Sequence, residues 1–415
     1  GVRQFQHLVK TLMVQGHVSD EYAALSFPNL SALGLNSWGE SNAAAIIVSH
    51  PSLVRIWLKN TDNYSCAAVW EAIADLPRLR DLDAMRLRVE SDVVERFWDM
   101  CTRLESLHLA QNVIEDYGKL DQFVFPRIWK LELSNDRAHQ AIKDLEIIRR
   151  CPSLKELTWS STYQSNDGMR EFTRLAAKGT WPELESLSFS GYGVTDNELH
   201  QVLGRMKRIT TLNTGVFGPR CLLVLRTHFG TIRKLDLQEC DEVTSAMLQE
   251  ILSSCPALEE LAGPRIRGVD VAQDPATLND IQPATFGQLS RLTMLEYLYL
   301  NGTPPERPYN DDEDEDDNDQ DYECNSLFGD VLLPFRESID LRLGLGLEKL
   351  SSLRLLREFH FRGTTQMLDK EVVDWMLEHW AQLDDVRGCM NEAYDIHEEL
   401  CERFRDHGIF CDYVD

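Results

Sequence analysis

The chain has 415 residues, 43% hydrophobic and 27% charged, with a formal net charge of −26. That length exceeds one ordinary compact core, so it implies several domains or a repeat array growing in one direction. The charge opposes a nucleic-acid backbone, which needs clustered lysine and arginine, and no apolar run approaches the roughly 20 residues that span a bilayer. Neither nucleic acid nor a membrane is an expected partner. Ten cysteines at irregular intervals, with Cys151 and Cys255 just ahead of proline, do not form a disulfide framework and fit a reducing compartment, cytoplasm or nucleus.

One phrase recurs along the chain: apolar, two variable positions, apolar, one variable position, apolar, of the type Leu-x-x-Leu-x-Leu. In chain order its copies begin at Val9, Leu30, Leu53, Leu79, Leu104, Ile128, Leu154, Leu184, Ile209, Ile232, Leu258, Leu295, Leu356 and Leu383. Most steps between starts are 21 to 30 residues, and only the steps of 37 and 61 require insertions. That period is the period of leucine-rich repeats. Between the phrases lie segments of helical periodicity, such as Ser91–Met100, Ala141–Arg150 and Thr244–Leu252. Pro51, Pro77, Pro152, Pro182 and Pro256 close several of them, because proline cannot continue a helix. Position nine of the repeat calls for a small polar side chain that bonds backbone in the turn after the strand. It is held by Thr61, Asn112, Asp136, Thr162, Cys240, Thr303, Thr364 and Asn391, while other copies carry apolar or bulky residues such as Trp38, Leu87 and Phe217.

The expected fold is α/β. It is a leucine-rich-repeat solenoid of about fourteen repeats over residues 1–415, a horseshoe or arc with a parallel sheet on the concave face and helices on the convex face. Residues 366–415 form the last repeat and cap, and residues 304–330 an acidic insertion. Within the insertion, Asp311–Asp321 holds nine acidic residues in eleven, too repulsive to pack, so a disordered loop is expected. It lacks the sixth-position glycine of a calcium loop, since Asp316 stands there.

Strand alternation points the residues between the apolar positions onto the open face. They are Arg55, Trp57 and Lys59 on one strand, Asp81 and Asp83 on the next, then Ser106 and His108. Exposed Trp and Arg are enriched where binding energy concentrates. Equally, Trp57 can pack along the stems of Arg55 and Lys59 while the charges pair with Asp81 and Asp83. Ser186, Ser188 and Ser190 leave a flat strand. Tyr297, Tyr299 and Asn301 then face out beside Glu358, His360 and Arg362, as a second contact region or as cross-strand packing. No phosphate loop, nucleophile elbow or paired-cysteine zinc spacing is present. Cys401, His407 and Cys411 lack such spacing and are read as parts of the cap. No catalytic residue, cofactor or metal is expected.

Toward the end, Gly344–Leu350, Leu356–Phe361, Glu371–Trp380 and Gly388–Asn391 resemble the closing region of fungal F-box proteins with ribonuclease-inhibitor-like leucine-rich repeats. The resemblance covers nearly the whole chain. It implies the target-reading half of a substrate receptor in an SCF-type ubiquitin ligase, with the Skp adaptor docking on an F-box. No segment here resembles an F-box, so that element is expected upstream of Gly1. The alternative is a stand-alone acidic regulator that grips a basic protein. The charge remains −17 after the nine acidic residues of the loop are set aside.

Overall fold

A computed structural model describes residues 8–15, 26–59, 66–135, 140–161, 166–190, 194–238, 240, 243–263, 284–300, 341–391 and 393–412. They fall into two compact units, Gly1–Ile209 and Thr210–Asp415. The acidic segment 304–330 and Asn301 lie outside the described residues, as do Thr61, Asp136, Thr162 and Thr303.

The first unit holds β1 (Thr11–Gln15), β2 (Ala32–Asn36), β3 (Arg55–Lys59), β4 (Asp81–Met85), β5 (Arg88–Val89), β6 (Ser106–Ala110), β7 (Val113–Ile114), β8 (Lys130–Asn135), β9 (Glu156–Ser161) and β10 (Ser186–Ser190). All but β5 and β7 join one sheet in chain order, every pair parallel. The register is the repeat written across strands. Leu33, Ile56, Leu82, Leu107, Leu131, Leu157 and Leu187 stand opposite one another in sequence. Each is buried. A layer of helices covers that face, among them Glu40–Ser49, Ala67–Ala74 and Val94–Cys101, which follow one another side by side. Where the leucines thin out, aromatic residues fill the interior: Phe172 stacks on Trp181 at 4.8 Å and meets Phe189 edge-on at 5.3 Å.

The second unit holds β11 (Thr211–Thr214), β12 (Lys234–Asp236), β13 (Glu260–Ala262), β14 (Tyr297–Tyr299), β15 (Glu358–Thr365), β16 (Asp385–Cys389) and β17 (Phe410–Asp412), parallel and in chain order. The fold is an α/β leucine-rich-repeat solenoid, and each of the fourteen phrase starts leads into one strand. β17 is an additional strand: Ile409 and Cys411 hold apolar positions there without a full phrase ahead of them. The short ladder β5–β7 also has no phrase of its own and forms in the turns that follow β4 and β6.

Those turns show why position nine is polar. Asn112 accepts the Leu87 N–H at 2.7 Å and donates to the Ala84 carbonyl at 2.6 Å, tying one repeat to the next. Asn391 donates to Leu368 O at 3.2 Å, and the Cys240 thiol to Thr214 O at 2.9 Å. The residue before position nine takes a left-handed conformation in three turns: Ser37, Arg86 and Gln111, with φ of 57°, 57° and 55°.

Candidate protein-interaction face

On the side away from the helices, the first unit's register lines up its outward residues in rows. The central row is Met13, Gly34, Trp57, Asp83, His108, Glu132, Thr158 and Ser188, one residue per strand. At about 4.8 Å per strand it spans roughly 34 Å. Beside it runs Thr11, Ala32, Arg55, Asp81, Ser106, Lys130, Glu156 and Ser186.

The β1 end of the central row is apolar. Gly34 has no side chain, and the space a Cβ would fill is taken by the Met13 thioether, with the Trp57 ring edge 3.6 Å away on the other side. Met13 is 61% exposed, and Trp57 is half-buried between the inward Ile56 and Leu58. The Arg55 guanidinium sits 5.4 Å from the Trp57 ring centre and is bonded to Asp81 at 2.8 Å. Trp57 is thus met by a cation fixed to a carboxylate, and Met13 reaches the same strip across Gly34. Lys59 is exposed at the end of β3, opposite Met85.

The next stretch of the row is acidic. Asp83, 37% exposed, and Glu132, 36% exposed, flank His108, whose Nδ1 lies 3.0 Å from Asp83 and Nε2 3.4 Å from Glu132. Burial works against a proton on His108, but the hydrogen bond and charge of Asp83, aided by Glu132, outweigh it and raise its pKa above the ordinary value. Lys130 pairs with Glu156 at 3.6 Å in the neighbouring row. Beyond these charges, Ser186 and Ser188 are half-buried. The side chain of Ser190 lies outside the described residues.

The second unit's face is built differently. Tyr297 and Tyr299 project from β14, half-buried. His360 stands on the outward side of β15 beside Tyr299 but is only 4% exposed, so the expectation that it faces solvent is corrected. The Tyr299 ring meets it edge-on at 4.5 Å, and Asp385 and Glu358 lie 3.6 and 3.8 Å from its Nε2. Tyr299 donates to Glu358 at 2.8 Å, and Arg387 grips both oxygens of Asp385 at 2.9 and 3.0 Å. Five side chains from three strands therefore pack together, with the Tyr299–Glu358 and Arg387–Asp385 bonds closing around the His360 ring. Donor atoms of Glu358, His360 and Asp385 lie within 4.8 Å, but a cation there would compete with Arg387 for Asp385. Arg362 has its side chain outside the described residues.

Met13, Gly34 and Glu132 belong to the first unit's face and were not singled out in the sequence. Gly34 between Leu33 and Leu35 was the available signal, since glycine inside a strand marks a close approach. On the helix side, Tyr117, Leu120, Asp121, Glu146 and Arg149 line a polar cleft of about 290 Å³. Among the described residues no helix is long and apolar enough to cross a membrane.

No family model matches the chain. It resembles a leucine-rich-repeat protein of Leptospira interrogans at 13% identity, covering 99% of this chain and 97% of that one, with a TM-score of 0.41. It also resembles the yeast complex of Rad7 and Elc1 at 14% identity, covering 88% and 77%, TM-score 0.46. A third likeness is to an internalin of Listeria monocytogenes at 12% identity, covering 92% and 88%, TM-score 0.38. The functional reading rests on the chain's own surface.

Proposed function

We propose that the chain is a protein-interaction module that holds its target on the open sheet face of the first unit. The observation that carries this is the central row: an apolar strip of Met13 and Trp57 adjoining the acidic groups Asp83 and Glu132, all on rigid paired strands. A half-buried Trp already packed between neighbouring strands and met by an ion-paired arginine loses little side-chain entropy when a partner closes over it. The acidic stretch beside it suits a target with an apolar anchor followed by a basic side chain.

The finer reading is the target-recognition part of an F-box receptor in an SCF-type ubiquitin ligase. What supports it is the resemblance of residues 344–391 to the closing region of such proteins. The net charge of −26 favours a second reading, an acidic regulator of a basic protein.

Affinity capture from native lysate, read by mass spectrometry, separates them. Wild type is compared with Arg55→Ala plus Trp57→Ala, with a deletion of residues 310–323, and with a chain carrying an upstream F-box. A target lost on changing Arg55 and Trp57, with Skp and cullin components joining only the longer chain, supports the receptor. A basic protein captured without ligase components, and lost with the acidic segment, replaces it by the regulator.

A further inference from the structure

Inside the second unit, the helix Tyr394–Asp406 packs on β17 and brings together His397, Cys401 and Cys411, all buried. His397 and Cys401 are one helical turn apart and share a face. Cys411 is the inward residue of β17, opposite the inward Val386. The two sulfurs lie 2.8 Å apart, and His397 Nε2 is 3.5 Å from the Cys401 sulfur.

The direction of these contacts follows from the ring's other nitrogen. The Met390 N–H donates to His397 Nδ1 at 3.3 Å. A ring nitrogen that accepts carries no proton, so the neutral imidazole keeps its proton on Nε2, toward Cys401. The Cys411 S–H donates to the same sulfur. Two donors converging on one sulfur stabilise a thiolate there. The bond from Cys411 is the main influence on Cys401; with His397 it overcomes burial and holds the thiol below its ordinary range. Cys411 is pushed upward, chiefly by the same bond to Cys401. Other buried cysteines go the opposite way: burial raises Cys66 to about 11 and Cys255 to about 12.

We propose that Cys401 and Cys411 are a reversible oxidation site, in which a hydroperoxide converts the contacting thiols to a disulfide joining the last helix to the last strand. With hydrogen peroxide, the Cys401 thiolate attacks one oxygen, the O–O bond breaks, and the departing hydroxide takes up the proton that Cys401 gave up on ionising, becoming water. Cys401 is then a sulfenic acid. The Cys411 sulfur attacks it, forming the S–S bond and expelling hydroxide, which takes the Cys411 proton as a second water. The two sulfurs lose two electrons in total, and the peroxide gains them. A zinc ion on the same residues is the competing chemistry. Zinc–thiolate bonds of about 2.3 Å at a tetrahedral angle would hold the sulfurs roughly 3.8 Å apart. The contact is an ångström shorter, which favours sulfur–sulfur chemistry. The bond would pin β17, which pairs only with β16 among the described strands, to the helix beneath it.

The test uses the full reduced chain and hydrogen peroxide, followed by alkylation in denaturant and peptide mass spectrometry. The expected product is a Cys401–Cys411 linked peptide, reversed by dithiothreitol, while Cys66, Cys151 and Cys255 are recovered alkylated. Cys411→Ser should accumulate sulfenic acid at Cys401, trapped by dimedone, whereas Cys401→Ser should give no such label at Cys411. His397→Gln should slow the linkage about 10-fold while leaving its identity unchanged. Recovery of both thiols alkylated after peroxide overturns the proposal. So does linkage of Cys151 or Cys255 at the same rate, or protection of the pair that depends on added zinc.

Discussion

The first and second units carry outward residues at equivalent strand positions and put them to different use. In the first, Trp57, Asp83, His108 and Glu132 occupy one row, and the acidic members keep more than a third of their side-chain surface. In the second, Tyr299, His360 and Arg387 occupy one row, and His360 is 4% exposed because the groups around it bond to one another. The open side of a repeat sheet is therefore not uniformly available. Where aromatic and charged residues of neighbouring strands close around one member of a row, that residue becomes interior, as His360 does while Arg387 beside it stays a third exposed, and where glycine and acids stand between larger groups the row stays accessible.

The strongest way to break the comparison is to disrupt the closed row's scaffold. Gly388 has φ of 148°, and a Cβ there would lie 2.7 Å from the Phe361 carbonyl oxygen and run into its ring. Gly388→Ala should destabilise the second unit by about 3 kcal/mol or more in urea unfolding, while leaving target capture through Trp57 in place. Asp385→Ala strips Arg387 of its bidentate partner beside buried His360; a loss of about 2 kcal/mol is expected, since Arg387 retains some contact with water.

In the open row the effects should fall on binding. Trp57→Ala should weaken target affinity about 30-fold, roughly 2 kcal/mol, measured by titration of the captured target, with unfolding midpoints shifted much less. His108 adds a pH signature. Its pKa is raised in the fold, so its contribution to stability is complete below the ordinary value of about 6.5 and is lost as pH rises through the raised value. Unfolding free energy should decline across that window, and His108→Gln should flatten the decline. Smallest is Arg55→Ala: its pair with Asp81 is half exposed, and less than about 1 kcal/mol of stability should go with it.

The repeat was legible because one phrase sets strand, register and buried face together. Leu107 opposite Leu82 and Leu131 is what a copied phrase must give when its copies stack in parallel. β17 was not legible, since Ile409 and Cys411 alone do not make the phrase. Trp57, Asp83 and His108 follow from period-two alternation. The burial of His360 does not, because it depends on Tyr299, Asp385 and Arg387 arriving from other strands. His407, grouped in the sequence with Cys401 and Cys411, instead turns its Nδ1 to the Arg403 carbonyl at 2.9 Å. His397 takes its place, one helical turn from Cys401, a spacing the sequence contained but a lone histidine in a helix did not advertise.

The central claim is that a protein target rests on the first unit's open row. Photo-crosslinking probes it directly, with the photoreactive residue placed at 57, at 83, or at 48 on the helix layer, where Val48 is 66% exposed. One protein crosslinked from positions 57 and 83, and absent from 48, is the expected result. Equal crosslinking from 48, or none from 57 and 83 while the target still binds, would contradict the account.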